Sequence, residues 1–414
     1  MRVLISAIAC HPSLVSEAFV GWQAVSTLRE DHKLWIMTDV GSREAIEKVQ
    51  KDDPTWKNVS FHYVGKLHTW HPNRMIARFE SWMLYRDWCE QASVVARQLH
   101  QEVGFDLAHH VTYATWRMGS PLTGLGIPWI WGPIGGGEKF PWSLIGLLSP
   151  IGMAFEILRA ISSWFAMRSR KIRHAVRDAT LILASNEETK KFILQIGAPK
   201  NEIRVLSQAF LGDEQLQKLN KEIKLSPSTV GRLNIIAGGN LEGRKGVSIA
   251  LLALAMAKKR GLKFSYKYLG YGPELSHLRK LVTKLGLSTE VEFSYGLQGE
   301  EYFNELKRAH VFLLPSLRES AGLTMIEAMA AGCVPIVADS GGPASICKRA
   351  GIRTVQVSKP ESMAVSILNI LIEIIGENSL WYTLSNNSKL TIQEYYSSQS
   401  YKRKIITAYN ELQK

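Results

Sequence analysis

The sequence predicts an α/β protein made of two tandem, Rossmann-like doubly wound domains. Three observations carry that expectation. Short β-rich apolar runs alternate with longer helical patterns along most of the chain, the signature of a parallel sheet with helices on both faces. The alternation comes as two series separated by a polar, charged stretch. The 414 residues exceed one ordinary core and fit two domains of roughly 200 residues each.

In the first series, "RVLISAIA", "KLWIMT", "VSFHYVG", "FDLAHHV", "PWIWG" and "TLILAS" predict strands, with helices at "GWQAVSTLRE" and "RFESWMLYRDWCEQASVVARQLHQE". The stretch "GDEQLQKLNKEIKLSPSTVGR", residues 212–232, interrupts the periodicity and is read as holding the linker. In the second series "LNIIAGG", "FSYKYLGYG", "VEFSYG", "VFLLPS" and "VPIVAD" predict strands, separated by helices such as "GVSIALLALAMAKKRG" and "PELSHLRKLVTKLG". The expected domains are therefore 1–212 and 213–389, with a helix over about 390–414 packing back on the first. Two such domains are expected to face each other across a cleft, and ligands bind at the carboxyl ends of strands in such sheets. The loops after strands are the places to look for chemistry.

Composition narrows the classes. Hydrophobic residues at 46% and charged residues at 21% are ordinary for a folded chain and argue against disorder. The formal net charge of +13 favours an anionic partner: a nucleotide, a membrane surface or a nucleic acid. No nucleic-acid-binding module is recognisable, so that partner is not expected. Cys10, Cys89, Cys333 and Cys347 lack zinc-type spacing and read as packing residues in a reduced, cytoplasmic compartment. Neither "VLISAIAC" nor "FPWSLIGLLSPIGMAF" reaches the roughly 20 residues of a spanning helix.

Three glycine-bearing loops follow strands of the second series: "GGNLEGRKG" at 238–246, "LGYGPE" at 269–274 and "YGLQGEE" after "VEFS". Glycines permit close backbone approach and a helix N-terminus favours anions, so the first loop, with Arg244 and Lys245, suits a diphosphate. It is not a Walker P-loop, because Arg244 stands between its glycine and lysine and Gly246 follows. Further on, "ESAGLTMIEAMAAG" places Glu319 in a loop and Glu327 one turn into the helix expected to start near Leu323, with Gly322 at the boundary. Both carboxylates then face one ligand. Each suits the hydroxyl edge of a sugar or ribose, since a carboxylate accepts two hydrogen bonds at once. Helix-end glutamates favoured by the dipole are the plainer alternative.

The combination "PSLRESAGLTMIEAMAAGCVPIVADSGGP" resembles the Glu-x7-Glu segment of family 4 nucleotide-sugar glycosyltransferases, which have the GT-B fold. "GGNLEGRKG", "LGYGPE" and "VEFSYG" match that family's pattern in the same order. The resemblance implies that Lys245 binds the leaving diphosphate, Glu327 the nucleotide ribose, and Glu319 the donor sugar near its reacting centre. Ala321, Gly322 and Leu323 would present backbone amides to sugar and phosphate, with Gly239, Asn240, Gly270, Gly272 and Tyr295 completing the donor site. One departure stands out: Asn240 occupies the place of the family's arginine in a Gly-Arg-Leu triplet, and Arg244 is the residue that could compensate.

In the first domain, "ACHPSLVSEAFVGW" follows the first strand where the family has a loop near the acceptor, with Val15 where a glycine is expected. Ser16 and Glu17 in that loop, and Gly135, Gly136 and Glu138 in "WIWGPIGGGEKF", are the acceptor candidates. His109 matches the histidine of the family's Asp-x-x-His segment and is either catalytic or structural. The pair His68 and His71 lacks a metal-ligand pattern.

No Asp-x-Asp occurs in the chain, so no metal and no other cofactor is expected. The reading is transfer of a sugar from a nucleoside diphosphate sugar to a hydroxyl acceptor, a glycan or lipid-linked precursor, with charge on the diphosphate met by Lys245, Arg244 and a helix N-terminus. The resemblance implies retention of configuration. The rivals are a sugar phosphorylase, an epimerase, and a catalytically idle subunit that binds a partner or membrane. Residues 159–177, "RAISSWFAMRSRKIRHAVR", carry six Lys or Arg and no acid. Beside the apolar run before it, this fits an anionic membrane surface and a peripheral cytoplasmic-face location. The alternative is a helix whose Ile157, Ile161, Trp164 and Phe165 pack on the sheet.

Overall fold

The computed structural model describes residues 1–14, 17–67, 74–199, 202–220 and 226–413. The chain forms two compact units, Met1–Gly137 with Ser162–Gln208 and Ser398–Lys414, and Glu138–Ile161 with Ala209–Ser397. This division departs from the expected one. The crossing falls after Gln208, the returning segment starts at Ser398, and residues 138–161 join the second unit. The last difference has a packing cause, since Phe140, Leu144 and Leu148 are buried in the second unit's core.

The first unit holds a parallel sheet of β1 (Arg2–Ala7), β2 (Lys33–Asp39), β3 (Val59–Val64), β4 (Leu107–Thr112), β5 (Trp129–Ile134), β6 (Leu181–Ala184) and β7 (Ile203–Val205). Their order is β3-β2-β1-β4-β5-β6-β7. Every residue of β4 and β5 is buried, as expected for central strands covered on both faces. β7 is short and two of its three residues are exposed, so it carries almost no hydrophobic signal and was absent from the expected strands. The helix Ser398–Glu411 buries Tyr401, Ile405, Ala408 and Tyr409 in this unit, and Lys402 beside them pairs with Asp31 at 2.7 Å.

The second unit holds β8 (Leu233–Gly238), β9 (Phe264–Leu269), β10 (Val291–Ser294), β11 (Val311–Leu313) and β12 (Val334–Ile336), all parallel, in the order β10-β9-β8-β11-β12. The helix Val247–Lys259, apolar on most sides, packs against Pro360–Gly376. The latter starts with Pro at its first position and Glu361 in its first turn, both favourable at a helix N-terminus. Residues 213–220 of the expected linker form a helix that sends Leu219 into the second core. Among the described residues, no single helix is long and apolar enough to cross a membrane.

Candidate functional site

The carboxyl ends of β8, β9 and β10 are laced together by backbone hydrogen bonds. Gly239 N–H donates to the Leu269 carbonyl at 2.9 Å, Leu241 N–H to Tyr271 at 3.0 Å, and Gly270 N–H to Ser294 at 2.8 Å. The three glycine-bearing loops therefore sit side by side, carrying Gly239, Asn240, Gly270, Gly272 and Tyr295. Tyr295 is exposed, and its ring meets that of exposed Tyr271 edge-on with centroids 5.8 Å apart. Tyr271 lies between Gly270 and Gly272, and no sequence pattern marks it out from an ordinary turn residue.

Next along the chain, a short turn Gly243–Lys245 delivers Arg244 and Lys245 to the loop after β11. Lys245 Nζ donates to Glu319, and Arg244 donates to the same carboxylate oxygen at 3.1 Å. The guanidinium also donates to the Arg318 carbonyl at 2.9 Å and to Glu242 at 2.5 Å. Burial opposes ionisation of Glu319, yet Lys245 and Arg244 hold its carboxyl down at about 2. Burial also pulls Lys245 below its usual value against the attraction of Glu319. Arg244 is half-buried; burial opposes its charge, but Glu319 and Glu242 on either side outweigh that and hold it firmly charged. Asn240, in place of an arginine, donates its amide to Glu242 at 2.8 Å. Arg244 thus supplies a positive charge one residue before Lys245.

Gly322 has φ +76°, a left-handed conformation that glycine adopts without a Cβ penalty, and from it the helix Leu323–Ala330 begins as expected. Its first-turn amides have no intrahelical acceptor and make an anion-favouring end beside Ala321. Glu327 lies in this helix, buried, accepting a hydrogen bond from Tyr302. Burial raises its carboxyl to about 7, against the lowering effect of the Tyr302 bond.

The Glu319 loop is held from beneath by contacts no local pattern announced. Arg318 forks onto Glu156 at 3.1 and 2.6 Å, a bidentate pair with side chains 13% and 7% exposed. Gly342 N–H donates to the Glu319 carbonyl at 3.0 Å. Gly341 packs so tightly there that a Cβ would lie 2.0 Å from that same oxygen. Glu138, expected among acceptor residues of the first domain, belongs instead to the second unit. It is buried and accepts from Ser320 Oγ at 2.9 Å, next to Glu319.

In the first unit, three acceptor candidates converge on the loop after β4. Glu17 accepts from the Ala114 N–H, and burial raises its carboxyl despite that bond. Gly135 N–H donates to the Ala114 carbonyl at 3.0 Å, and the Gly136 carbonyl accepts from Trp116 Nε1 at 2.9 Å. Ser16 lies outside the described residues, as do Val15, His68 and His71. His109, expected to be either catalytic or structural, has 0% exposure, and both its ring nitrogens are engaged within the unit. Nε2 donates to the Gly132 carbonyl at 2.7 Å, which leaves Nδ1 to accept from Tyr409 Oη at 2.7 Å. These bonds tie β4 to β5 and to the helix Ser398–Glu411.

Residues 220–373 match the family model of the group 1 glycosyl transferases. Over 149 residues the chain is 32% identical to WcaL of Escherichia coli (strain K12), named as a colanic acid biosynthesis glycosyltransferase, covering 34% of this chain and 35% of that protein. It is 29% identical over 151 residues to the amylovoran biosynthesis glycosyltransferase AmsK of Erwinia amylovora, covering 35% of each. These matches span about a third of the length of either relative. Among solved structures, Anabaena HepE in complex with UDP superposes with a TM-score of 0.64 at 14% identity, over 99% of each chain. WaaG, a glycosyltransferase involved in lipopolysaccharide biosynthesis, gives 0.60 at 14% identity, over 100% of this chain and 99% of WaaG. The fold is that of the GT-B glycosyltransferases.

Proposed function

We propose that the chain is a family 4 type glycosyltransferase that moves a sugar from a nucleoside diphosphate sugar to a hydroxyl acceptor on a glycan or lipid-linked precursor. The observation that supports this best is the convergence of Arg244 and Lys245 on Glu319, within the segment matching the group 1 glycosyl transferases. A buried lysine and a half-buried arginine facing one carboxylate are a site for a dianion. In the proposed complex the diphosphate takes up the charge of Lys245 and Arg244, aided by the amides of Ala321, Gly322 and Leu323. Glu319 then turns to the donor sugar, while Glu327 accepts from the ribose hydroxyls. Gly239, Asn240, Gly270 and Gly272 would let the backbone approach the donor, and we assign the exposed ring of Tyr295 to the base.

The reaction we propose needs no metal and retains configuration. The acceptor oxygen attacks the anomeric carbon on the face the diphosphate leaves. The carbon–oxygen bond to phosphate breaks as the new glycosidic bond forms, and the acceptor proton passes to the departing phosphate oxygen. Glu17, Gly135 and Gly136 are proposed on the acceptor side. HepE, solved with UDP and with UDP-glucose, supports a uridine donor as the first to try.

The test is a thermal-shift screen of nucleotide sugars followed by assay of nucleotide release in the presence and absence of EDTA. Stabilisation by one donor and metal-independent release with a hydroxyl acceptor support the reading. Nucleotide binding with no turnover of any donor would instead favour the idle subunit.

A further inference from the structure

The helix Pro150–Arg168 is amphipathic in the wrong sense for a soluble surface. Its outward residues recur at helical spacing and are apolar: Ile151 is 51% exposed, Leu158 55%, Ile161 48%, Trp164 47% and Phe165 63%. Its inward side carries the buried Glu156, held by Arg318. The expected alternative, with Ile157, Ile161, Trp164 and Phe165 packed on the sheet, is therefore overturned, since all four lie on the exposed side. In the first unit the exposed rings of Trp164 and Phe165, adjacent at the end of this helix, mark an interaction site.

The charge beside this face says what kind of partner fits. Arg168 ends the helix with its guanidinium 3.8 Å from the centroid of the Trp164 ring, so cation and aromatic present themselves together. Arg170, Lys171 and Arg173 follow, all exposed, on the next helix, Arg170–Asp178. No Asp or Glu occurs between Glu156 and Asp178. That helix buries Ile172, Ala175 and Val176 in the first unit, which turns its cations outward.

We infer that this part of the first unit lies in the interface of an anionic lipid bilayer, with Trp164 and Phe165 inserted at the headgroup boundary and Arg168, Arg170, Lys171 and Arg173 over the phosphates. The aromatic and aliphatic stripe supplies the apolar area, and the adjacent cations supply the attraction that a single shallow helix needs to stay attached. Attachment of this kind is reversible and salt-sensitive. It is independent of whether the donor site turns over.

The experiment is co-sedimentation of the full chain with phosphatidylglycerol and with phosphatidylcholine vesicles. The wild type pellets with the first and not the second, and releases at high salt. Each cation changed to Gln weakens partitioning by up to about five-fold, so the variant lacking Arg168, Arg170, Lys171 and Arg173 stays in the supernatant. Trp164→Ser with Phe165→Ser loses attachment while the thermal midpoint holds, and brominated lipid quenches wild-type fluorescence more than that of Trp164→Phe. Absence of wild-type pelleting, or pelleting retained by both variants, overturns the inference. So does sedimentation velocity showing a wild-type dimer that Phe165→Ser dissociates, because a second copy then covers the face.

Discussion

Lys245 and Glu319 form an ion pair in which only 10% and 16% of the two side chains reach solvent. Such a pair is satisfied in itself, so removing one member exposes the cost of burying the other. Glu319→Ala should therefore destabilise the second unit by about 3 kcal/mol, read as a shifted denaturation midpoint. Glu319→Gln, which keeps an acceptor, should cost less stability but slow transfer by about 10²-fold or more. Glu327→Ala should chiefly weaken nucleotide binding. Equal, small effects of the two on kcat and on binding would refute the separation of roles.

Burial sets a pH dependence at Glu327. Its carboxyl titrates at about 7 in the folded chain against an ordinary 4.5, so it favours the folded state below 4.5 and that contribution is lost as pH rises through 7. Ribose hydroxyls need the ionised form as acceptor. UDP affinity should thus fall by up to about tenfold for each pH unit below 7, with proton release on binding that calorimetry detects in buffers of differing ionisation enthalpy. Glu327→Gln should flatten the profile. A wild-type profile already flat from pH 5 to 8 would argue against the ribose contact.

The first unit answers pH in the opposite sense. Burial lowers His109 to about 4 and His110 to about 3, against an ordinary 6.5, each despite a hydrogen bond that favours the charged form. The unfolded chain takes up these protons first, so stability is lost as pH falls from 6.5 towards 4, by about 3 kcal/mol for His109 alone. His109→Gln should lower stability at pH 8 and reduce its loss on acidification. Hydrogen exchange around β4 and β5 would report both.

Arg318 is a positioning residue. Its side chain forks onto Glu156 while its carbonyl receives Arg244, so it fixes the start of the Glu319 loop. Arg318→Lys keeps the charge but not the fork. It should lower kcat by about tenfold with nucleotide affinity nearly unchanged. A matching loss in affinity would mean that the whole donor site has shifted.

The loop after β8 offers a further comparison. If Arg244 stands in for the arginine absent at position 240, Arg244→Ala and Lys245→Ala should each cost roughly 2 to 4 kcal/mol of transition-state stabilisation. Asn240→Arg should then add little, because Glu242 already engages Arg244. Raised activity in Asn240→Arg with a silent Arg244→Ala would reverse that assignment.

What the sequence made legible follows from where the signal was local. Strands β1 and β4 to β6 are apolar runs, and β8 to β12 lead into recognisable loops, so both sheets and the sites of Lys245, Glu319 and Glu327 could be anticipated. β7 could not, because its outward Arg204 and Val205 leave no apolar pattern. Nor could the pairing of Glu156 with Arg318, 162 positions apart, or the capture of Glu138 by Ser320 across 182. Glu138 was misassigned because a glycine run after a strand looks alike whichever core its continuation joins. His109 was ambiguous because its closing partner, Tyr409, lies 300 positions away.

That last separation bears on how the protein is born. On a ribosome, β1 to β7 emerge long before the helix Ser398–Glu411, with all of Ala209–Ser397 made in between. Until Tyr409 arrives, His109 Nδ1 lacks its partner. Closing so long a loop is costly in entropy and slow. The first unit to be translated is thus the last to be completed, and a nascent chain stalled before residue 398 lacks the helix that closes over His109.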